Sequence, residues 1–579
     1  MQTRTHDVDF CVAGGGLAGI CAAIAAARHG IRVALMQDRP VLGGNCSSEI
    51  RMWVCGAQGR DRRETGLVHE ISQENRYRNP NHNYSIWDSV LYEKVRFEPN
   101  ITLLLNCSCC RAFMDGSRIR TVSGWQLTTE TWHTVRAPLF ADCSGDGILA
   151  PLTGADIRIG RESGDEFGES LGQDAADRQT MGLSCLIQAR ETGRPQPFIP
   201  PKWAYRFPAD EDLPNRDHDV RTTNFWWIEL GGDRDSIHDT EEIRDELLRV
   251  AFGVWDHIKN HGDHDADNWT LDWVGFLPGK RESRRYVGDH LLTQNDVQAE
   301  GRFDDIVAYH GWGLDDHHPA GFHYRGKPNI HPPCPSPSGI PLRCLYSRNV
   351  ANLMMAGRNI SATHVALSST RVMATCALLG QAVGTTAAVA RHHDLSPRQA
   401  CCHRIRDIQN LLMDDDCWIP WHRRPIPALS RDAQLSATSG DPEPLRNGID
   451  RPFDGDDNGW TGALGSCVTY RFSDVRPVRE LRFVFDSDLN QLIDGRNILS
   501  LASQHAANLP GLKPAGSLVR AFRVEAETPD GHWMPLHRET NNYQRLVRVA
   551  VNTKARAVRF IPETTRGAAA CHMFAWDVR

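Results

Sequence analysis

Residues 9–44 constrain this chain more than any other stretch. They read Asp9-Phe-Cys-Val-Ala-Gly14-Gly15-Gly16-Leu-Ala-Gly19, an alanine-rich run, an apolar segment 31–36, then Gln37-Asp38 and Gly43-Gly44. Phe10 to Ala13 has the length and apolarity of a strand buried on both faces. Gly14 permits a tight turn, Gly16 lets the backbone approach a pyrophosphate, and Gly19 lets the next helix pack on the strand. That helix is predicted over 17–29, with the positive end of its dipole at the phosphate, and Gly30 terminates it. A second strand over 31–36 then delivers Gln37 or Asp38 to where a ribose-binding side chain belongs.

The rest of the chain has to be compatible with that unit. With 579 residues it can bury several cores, and 40% hydrophobic with 24% charged residues is an ordinary globular composition. The formal net charge is −7 and the basic residues are scattered, which argues against a nucleic-acid partner. Residues 10–27 carry no charge, yet their glycines would break a membrane-spanning helix. Asp7 and Asp9 also spoil the basic start of a signal peptide, so no membrane association and a cytoplasmic location are expected. The 17 cysteines include the clusters Cys107, Cys109, Cys110 and Cys401, Cys402, but neither has the paired spacing of a zinc site. No metal is expected.

Along the chain, the loop from Asn45 suits contacts to a cofactor. Helices are predicted over 65–79 and 85–98, a strand over 101–105, and a small antiparallel meander over 118–137. A strand over 139–142 runs into Cys143-Ser144-Gly145-Asp146-Gly147, a second glycine junction at the carboxyl end of the same sheet, where ligands of open α/β sheets collect. From about residue 160 to 346, Trp and His become dense around one amphipathic helix, 240–259. The chain returns to the sheet before Gly357-Arg358-Asn359, and a buried helix is predicted over 369–392. Strand-length segments 467–472, 479–485, 521–527, 546–551, 557–561 and 573–578 then predict a β-sandwich. The expected domains are a discontinuous nucleotide-binding one (1–160 and 341–395), an inserted α+β cap (161–340), a helix and linker (396–440) and the sandwich (441–579).

Taken together, Gly14 to Gly19, Gly43-Gly44-Asn45, the Asp142 to Gly147 turn, Gly279-Lys-Arg-Glu-Ser-Arg-Arg285, Asp315-Asp-His-His318 and Gly357-Arg-Asn resemble the FAD-dependent oxidoreductase family. The likeness spans about residues 5–395, with a glutathione-reductase-like FAD domain, in the branch sometimes labelled xanthan lyase. The last segment, with Trp460, Asp486-Ser-Asp488 and Gly531-His-Trp533, resembles discoidin-like, galactose-binding sandwiches. The resemblance implies an α/β fold with a Rossmann-like FAD domain, an inserted substrate domain and the C-terminal all-β sandwich. It implies FAD as cofactor, held by Gly14, Gly16, Leu17, Ala18, Gly19, Gln37, Asp38, Gly43, Gly44, Asn45, Ser144, Gly145, Asp146, Gly357, Arg358, Asn359 and Arg371. Gln37 departs from the family, which usually has Glu there. Cys46 stands alone, which excludes the internal disulfide of the disulfide reductases.

Exchanging a hydride with a carbon that bears oxygen requires a group to move the hydroxyl proton and donors where negative charge develops. His317, His318 and His364 are the candidates for the proton, each set against an ordinary structural role. Arg281 and Arg284, with Arg285 and Glu282, either anchor a substrate carboxylate or alkoxide or form a buried ion-pair network. Trp226, Trp227, Trp273 and Trp312 either stack on sugar rings or fill a core. The leading expectation is oxidoreduction of a small polar substrate, a sugar or oligosaccharide, with an unknown electron acceptor and a homodimer left open. The alternatives are fumarate-reductase-like reduction of an unsaturated acid, and a carbohydrate-binding protein with a vestigial flavin domain.

Overall fold

The computed structural model describes residues 1–502 and 504–579. The chain divides into two compact units, one of residues 1–58, 82–408 and 493–511, the other of residues 59–81, 409–492 and 512–579. The expected cap, 161–340, is not a unit of its own, the expected linker 396–440 is divided at 408/409, and two further segments change sides. Residues 59–81 join the second unit, where Tyr77 stacks on Tyr543 at 4.0 Å and the His69 ring hydrogen-bonds Ser487 Oγ at 2.8 Å. Residues 493–511 join the first, where Ser500 Oγ accepts from the Val54 N–H at 2.9 Å and the Gln504 amide donates to the Ile187 carbonyl. Such long excursions are anchored by side-chain contacts to residues remote in sequence, which hydrophobic periodicity does not register.

The first unit is built on a five-stranded parallel sheet. Its strands are β1 (Phe10–Ala13), β2 (Val33–Met36), β3 (Ile101–Leu104), β4 (Leu139–Asp142) and β5 (Leu353–Met355), in the order β5-β4-β1-β2-β3. The tight turn after β1 leads into α1 (Leu17–Arg28), which closes at Gly30 with φ +87°. Gly14 takes φ +101°, and a Cβ at Gly19 would run into the Gly14 carbonyl, so this turn admits only glycine at both places. The meander expected over 118–137 is the antiparallel pair Arg118–Gln126 and Thr131–Arg136, and two unexpected strands, Cys107–Asp115 and Gln2–Asp7, extend it on either side.

The residues from 160 to 346 form short paired strands around α2 (Thr240–Asn260), whose apolar face, with Ile243, Leu247, Val250, Ala251 and Val254, is buried. The helix expected over 369–392 is two helices, α3 (His364–Thr370) and α4 (Met373–His392), with Val372 extended between them. Thr363 explains the early start, because its side chain accepts from the Ala366 N–H and caps α3. Among the described residues one helix, Met373–His392, is long and apolar enough to cross a membrane, and 94% of its most apolar window is buried. A Cβ at Gly380 or Gly384 would strike the Ala18 or Ala22 carbonyl, so α4 lies in near backbone contact with α1.

The second unit is one seven-stranded antiparallel sheet. Its strands are β6 (Gln434–Ala437), β7 (Trp460–Ala463), β8 (Val468–Phe485), β9 (Val519–Glu527), β10 (Trp533–Glu539), β11 (Leu546–Thr565) and β12 (Ala570–Val578). The order is β7-β12-β8-β11-β9-β10, with β6 on β8. Segments expected as separate strands merge into β8 and into β11. Irregular register near Arg471 and Glu480 bends them without ending them, so turn-like sequence does not mark a strand end there. Phe483, Phe485, Phe522, Phe560 and Trp576 pack within the core.

Candidate active site

The carboxyl ends of β1, β4 and β5 open onto one cavity of about 790 Å³, within the range of small-molecule and cofactor sites. Gly16, Asp146 and Gly357, which are 130 and 211 residues apart in sequence, share its lining. So do Gly14, Leu17, Ala18, Gln37, Asp38, Gly43, Gly44, Asn45, Ser144, Gly145 and Arg358.

Local chemistry holds each junction in place. Buried Asp142, the last residue of β4, accepts from the Ser144 and Leu149 N–H groups at 3.0 and 2.7 Å and from the Tyr286 hydroxyl at 2.7 Å. Asn359 donates to the Asp142 carbonyl at 3.1 Å, tying the turn after β5 to the end of β4. Gln37 is 2% exposed; its Oε1 accepts from the Gly15 N–H at 2.7 Å and its amide donates to the Val41 carbonyl at 3.2 Å. The side chain expected at a ribose thus braces the glycine turn, and Asp38 beside it is exposed. Asp146 pairs with Arg358 at 2.7 Å and Lys280 at 2.9 Å, and accepts from Ser283 Oγ at 2.9 Å. Burial would raise its pKa, but Arg358 and Lys280 outweigh that and hold the carboxyl at about 2.

The residues present fit FAD. Gly16 has φ −67°, so its backbone does not require glycine, and the nearest atom to a Cβ there would be Gly44 Cα at 3.9 Å. That leaves free space directly before α1, whose first turn no side chain caps, so its N–H groups are available to a pyrophosphate. Gly19 and Asn359 do not line the cavity; they shape the turns behind it. Arg371 lines it elsewhere, where its Nη2 pairs with Asp315 Oδ2 at 2.9 Å.

A charged cluster forms another part of the same wall. Arg281, Asp315, His317 and Arg371 all line the cavity. His317 Nδ1 hydrogen-bonds Glu229 Oε2 at 2.6 Å, and its Nε2 lies 3.5 Å from Asp315 Oδ1. Arg281 pairs with Glu229 at 3.3 Å and donates to Ser184 Oγ at 2.7 Å and the Trp226 carbonyl at 3.0 Å. For both carboxyls burial acts to raise the pKa and is outweighed. Arg281 and His317 keep Glu229 below its usual value, and His317 and Arg371 keep Asp315 well below its own. An ionised Glu229 can only accept, so Nδ1 of His317 carries the hydrogen and Nε2 is the nitrogen left to exchange a proton.

Three expected catalytic residues lie away from the cavity lining. His364 is 2% exposed, clamped between Glu282 Oε2 at 2.9 Å and Asp316 Oδ1 at 3.0 Å. Burial alone would depress its pKa; the two carboxylates overcome that and raise it to about 10, which makes it a fixed cation and a poor proton shuttle. His318 is exposed and stacks flat on Tyr324 with ring centroids 3.8 Å apart. Arg284 reaches the Asp146 carbonyl at 3.4 Å, and Arg285 pairs with Glu162 at 3.1 Å in a buried network. Of the tryptophans, Trp226 and Trp312 line the cavity, Trp227 is in the core, and Trp273 lies under the Arg51 guanidinium. Sequence reasoning missed Glu229, Ser184 and Lys280. For Glu229 a signal existed: it is the one acid in the otherwise apolar run Trp226 to Leu230.

A parallel sheet whose glycine-punctuated ends share a cofactor-sized cavity, with an uncapped helix start on its wall, defines a nucleotide-cofactor protein. The profile described as FAD dependent oxidoreductase matches residues 9–412, and the chain belongs to that family. No curated protein matches the chain. Solved structures similar to part of it include the family 32 carbohydrate-binding module of Streptococcus pneumoniae EndoD, 16% identical over 26% of this chain and 97% of that one, with TM-score 0.20. Another is the family 32 module of C. perfringens NanJ in complex with galactose, 10% identical over 26% of this chain and 95% of that one, with TM-score 0.19.

Proposed function

We propose that this FAD-dependent oxidoreductase exchanges a hydride with an oxygen-bearing carbon of a small polar substrate, a sugar or glycan-derived compound, and that His317 moves the hydroxyl proton. The observation that carries this reading is the His317–Glu229 pair on the wall of the cavity that also contains the glycine cradle. FAD, when bound, supplies the two-electron donor or acceptor, and we read the parallel sheet around Gly14, Gly16 and Gly43 as its Rossmann-like holder. Glu229 fixes the His317 ring with the hydrogen on Nδ1, so Nε2 takes the proton when the alcohol is oxidised and returns it in the reverse direction. The guanidinium groups of Arg281 and Arg371 favour negative charge developing on the substrate oxygen. Trp226 and Trp312 offer ring faces suited to a sugar.

A second reading is reduction of a carbon–carbon double bond beside a carboxylate. It is favoured by Arg371 Nε, which is buried without a hydrogen-bond partner. Anaerobic titration separates the two. Bleaching of the flavin by a sugar, or reoxidation of the reduced enzyme by a keto-sugar, supports the first, and reoxidation by unsaturated acids alone supports the second. For the first, His317→Gln is expected to lower kcat/KM by about 10²- to 10⁴-fold with flavin content unchanged.

A further inference from the structure

In the segment between residues 210 and 264, three imidazoles and a carboxylate converge. Asp210 lies in the short turn Asp210–Asp212, His218 in the loop after it, His257 in the last turn of α2, and His264 just beyond that helix. Asp210 Oδ1 is 3.1 Å from His257 Nε2, 3.7 Å from His264 Nε2 and 3.9 Å from His218 Nε2. The four candidate ligand atoms all lie within 4.8 Å of one another. None of these residues lines the cavity described above.

We infer that Asp210, His218, His257 and His264 bind one zinc ion. In a tetrahedral site with Zn–N and Zn–O bonds of roughly 2.0–2.1 Å, ligand atoms stand about 3.3 Å apart, so this cluster needs only a modest contraction. The ring orientations match what a metal requires. His257 Nδ1 donates to the Phe207 carbonyl at 2.7 Å and His218 Nδ1 to the Arg216 carbonyl at 3.0 Å. Each of these bonds commits the ring hydrogen to Nδ1 and turns the Nε2 lone pair toward the centre, as backbone carbonyls do behind metal-bound histidines.

Two further observations point to a ligand. His257 is fully buried, and its Nε2 and that of His264 have no hydrogen-bond partner, although Asp210 Oδ1 lies nearby. Buried lone pairs left in this state are costly unless something fills them. Gly262, at φ +75°, keeps the space clear, because a Cβ there would lie 2.9 Å from His264 Nε2. Three neutral nitrogens and one carboxylate oxygen suit zinc better than the oxygen-seeking calcium or magnesium. Four protein ligands complete a tetrahedron, so the site is structural and ties the 209–218 loop to the end of α2.

The test uses full-length protein stripped with a chelator and then given zinc chloride, with bound metal counted by mass spectrometry and cobalt(II) substituted as a visible probe. Wild type is expected to hold one zinc per chain and to show the intense bands of tetrahedral cobalt. Asp210→Asn, at an exposed position, and His264→Gln are expected to lose that equivalent while keeping their flavin, which reports folding. Failure of the stripped wild type to take up zinc, or equal zinc retention by wild type and both variants, would overturn the inference.

Discussion

His317 and His364 place the same side chain in opposite settings. His317 lines the cavity, with Glu229 on Nδ1 and Asp315 3.5 Å from Nε2, whereas His364 is hydrogen-bonded by a carboxylate on each nitrogen and does not reach the cavity. The raised pKa of His364 has a direct consequence for stability. A histidine whose folded value, about 10, exceeds its ordinary 6.5 contributes fully below pH 6.5, and the contribution is lost as pH rises toward 10. Asp146 behaves in the opposite sense: its contribution is full above 3.8 and is lost as pH falls toward 2. Replacing His364 by Gln removes the cation held between Glu282 and Asp316, at an expected cost of about 3–5 kcal/mol at neutral pH. Urea unfolding from pH 6 to 10 checks this, since the variant is expected to lose the alkaline fall expected of wild type. Motif reading could nominate both histidines but could not separate them. Asp315 and Asp316 stand beside His317 in the sequence, but Glu229 and Glu282 come from distant segments that only the fold assembles.

Among the elements, α1 and α4 show why the nucleotide unit was legible. The first strand, glycine turn and helix encode their geometry locally, and every residue needed for it lies within thirty of the next. The partner helix was legible by composition alone, because Ala, Gly and Leu without charge imply burial on all sides. Its start was not, since Thr363 caps a separate helix before it. The packing of α4 depends on Gly380 and Gly384 lying against the Ala18 and Ala22 carbonyls. Gly384→Val is therefore expected to push α4 away from α1, lowering stability by about 1–3 kcal/mol or more. Thermal denaturation combined with flavin retention measures both effects, because α1 also begins at the cofactor cradle.

Across the whole molecule, the unit boundaries were the least legible feature. A run of alternating segments after residue 440 announces a β domain, but nothing in its periodicity says that residues 59–81 complete it. In the structure the Arg451 guanidinium donates to the Arg63 carbonyl at 2.9 Å, and the buried Arg424, Arg482 and Arg545 pair with Asp450, Asp577 and Asp416. A fragment of residues 441–579 therefore lacks Arg424, Asp416 and the Leu67–Arg78 helix. It is expected to show no cooperative thermal transition by circular dichroism, and a sharp transition would contradict that partition.

If the glycine-lined cavity is the seat of FAD, Gly16 offers the most direct test of it. Its φ of −67° and open surroundings tolerate a side chain in the bare protein, while the same side chain would occupy the cradle before α1. The measurement is the flavin absorption spectrum and FAD stoichiometry of purified wild type and Gly16→Val, with circular dichroism to establish that both are folded. The account predicts one FAD per chain in wild type and a folded, colourless variant. A folded Gly16→Val protein that keeps a full equivalent of FAD would contradict it.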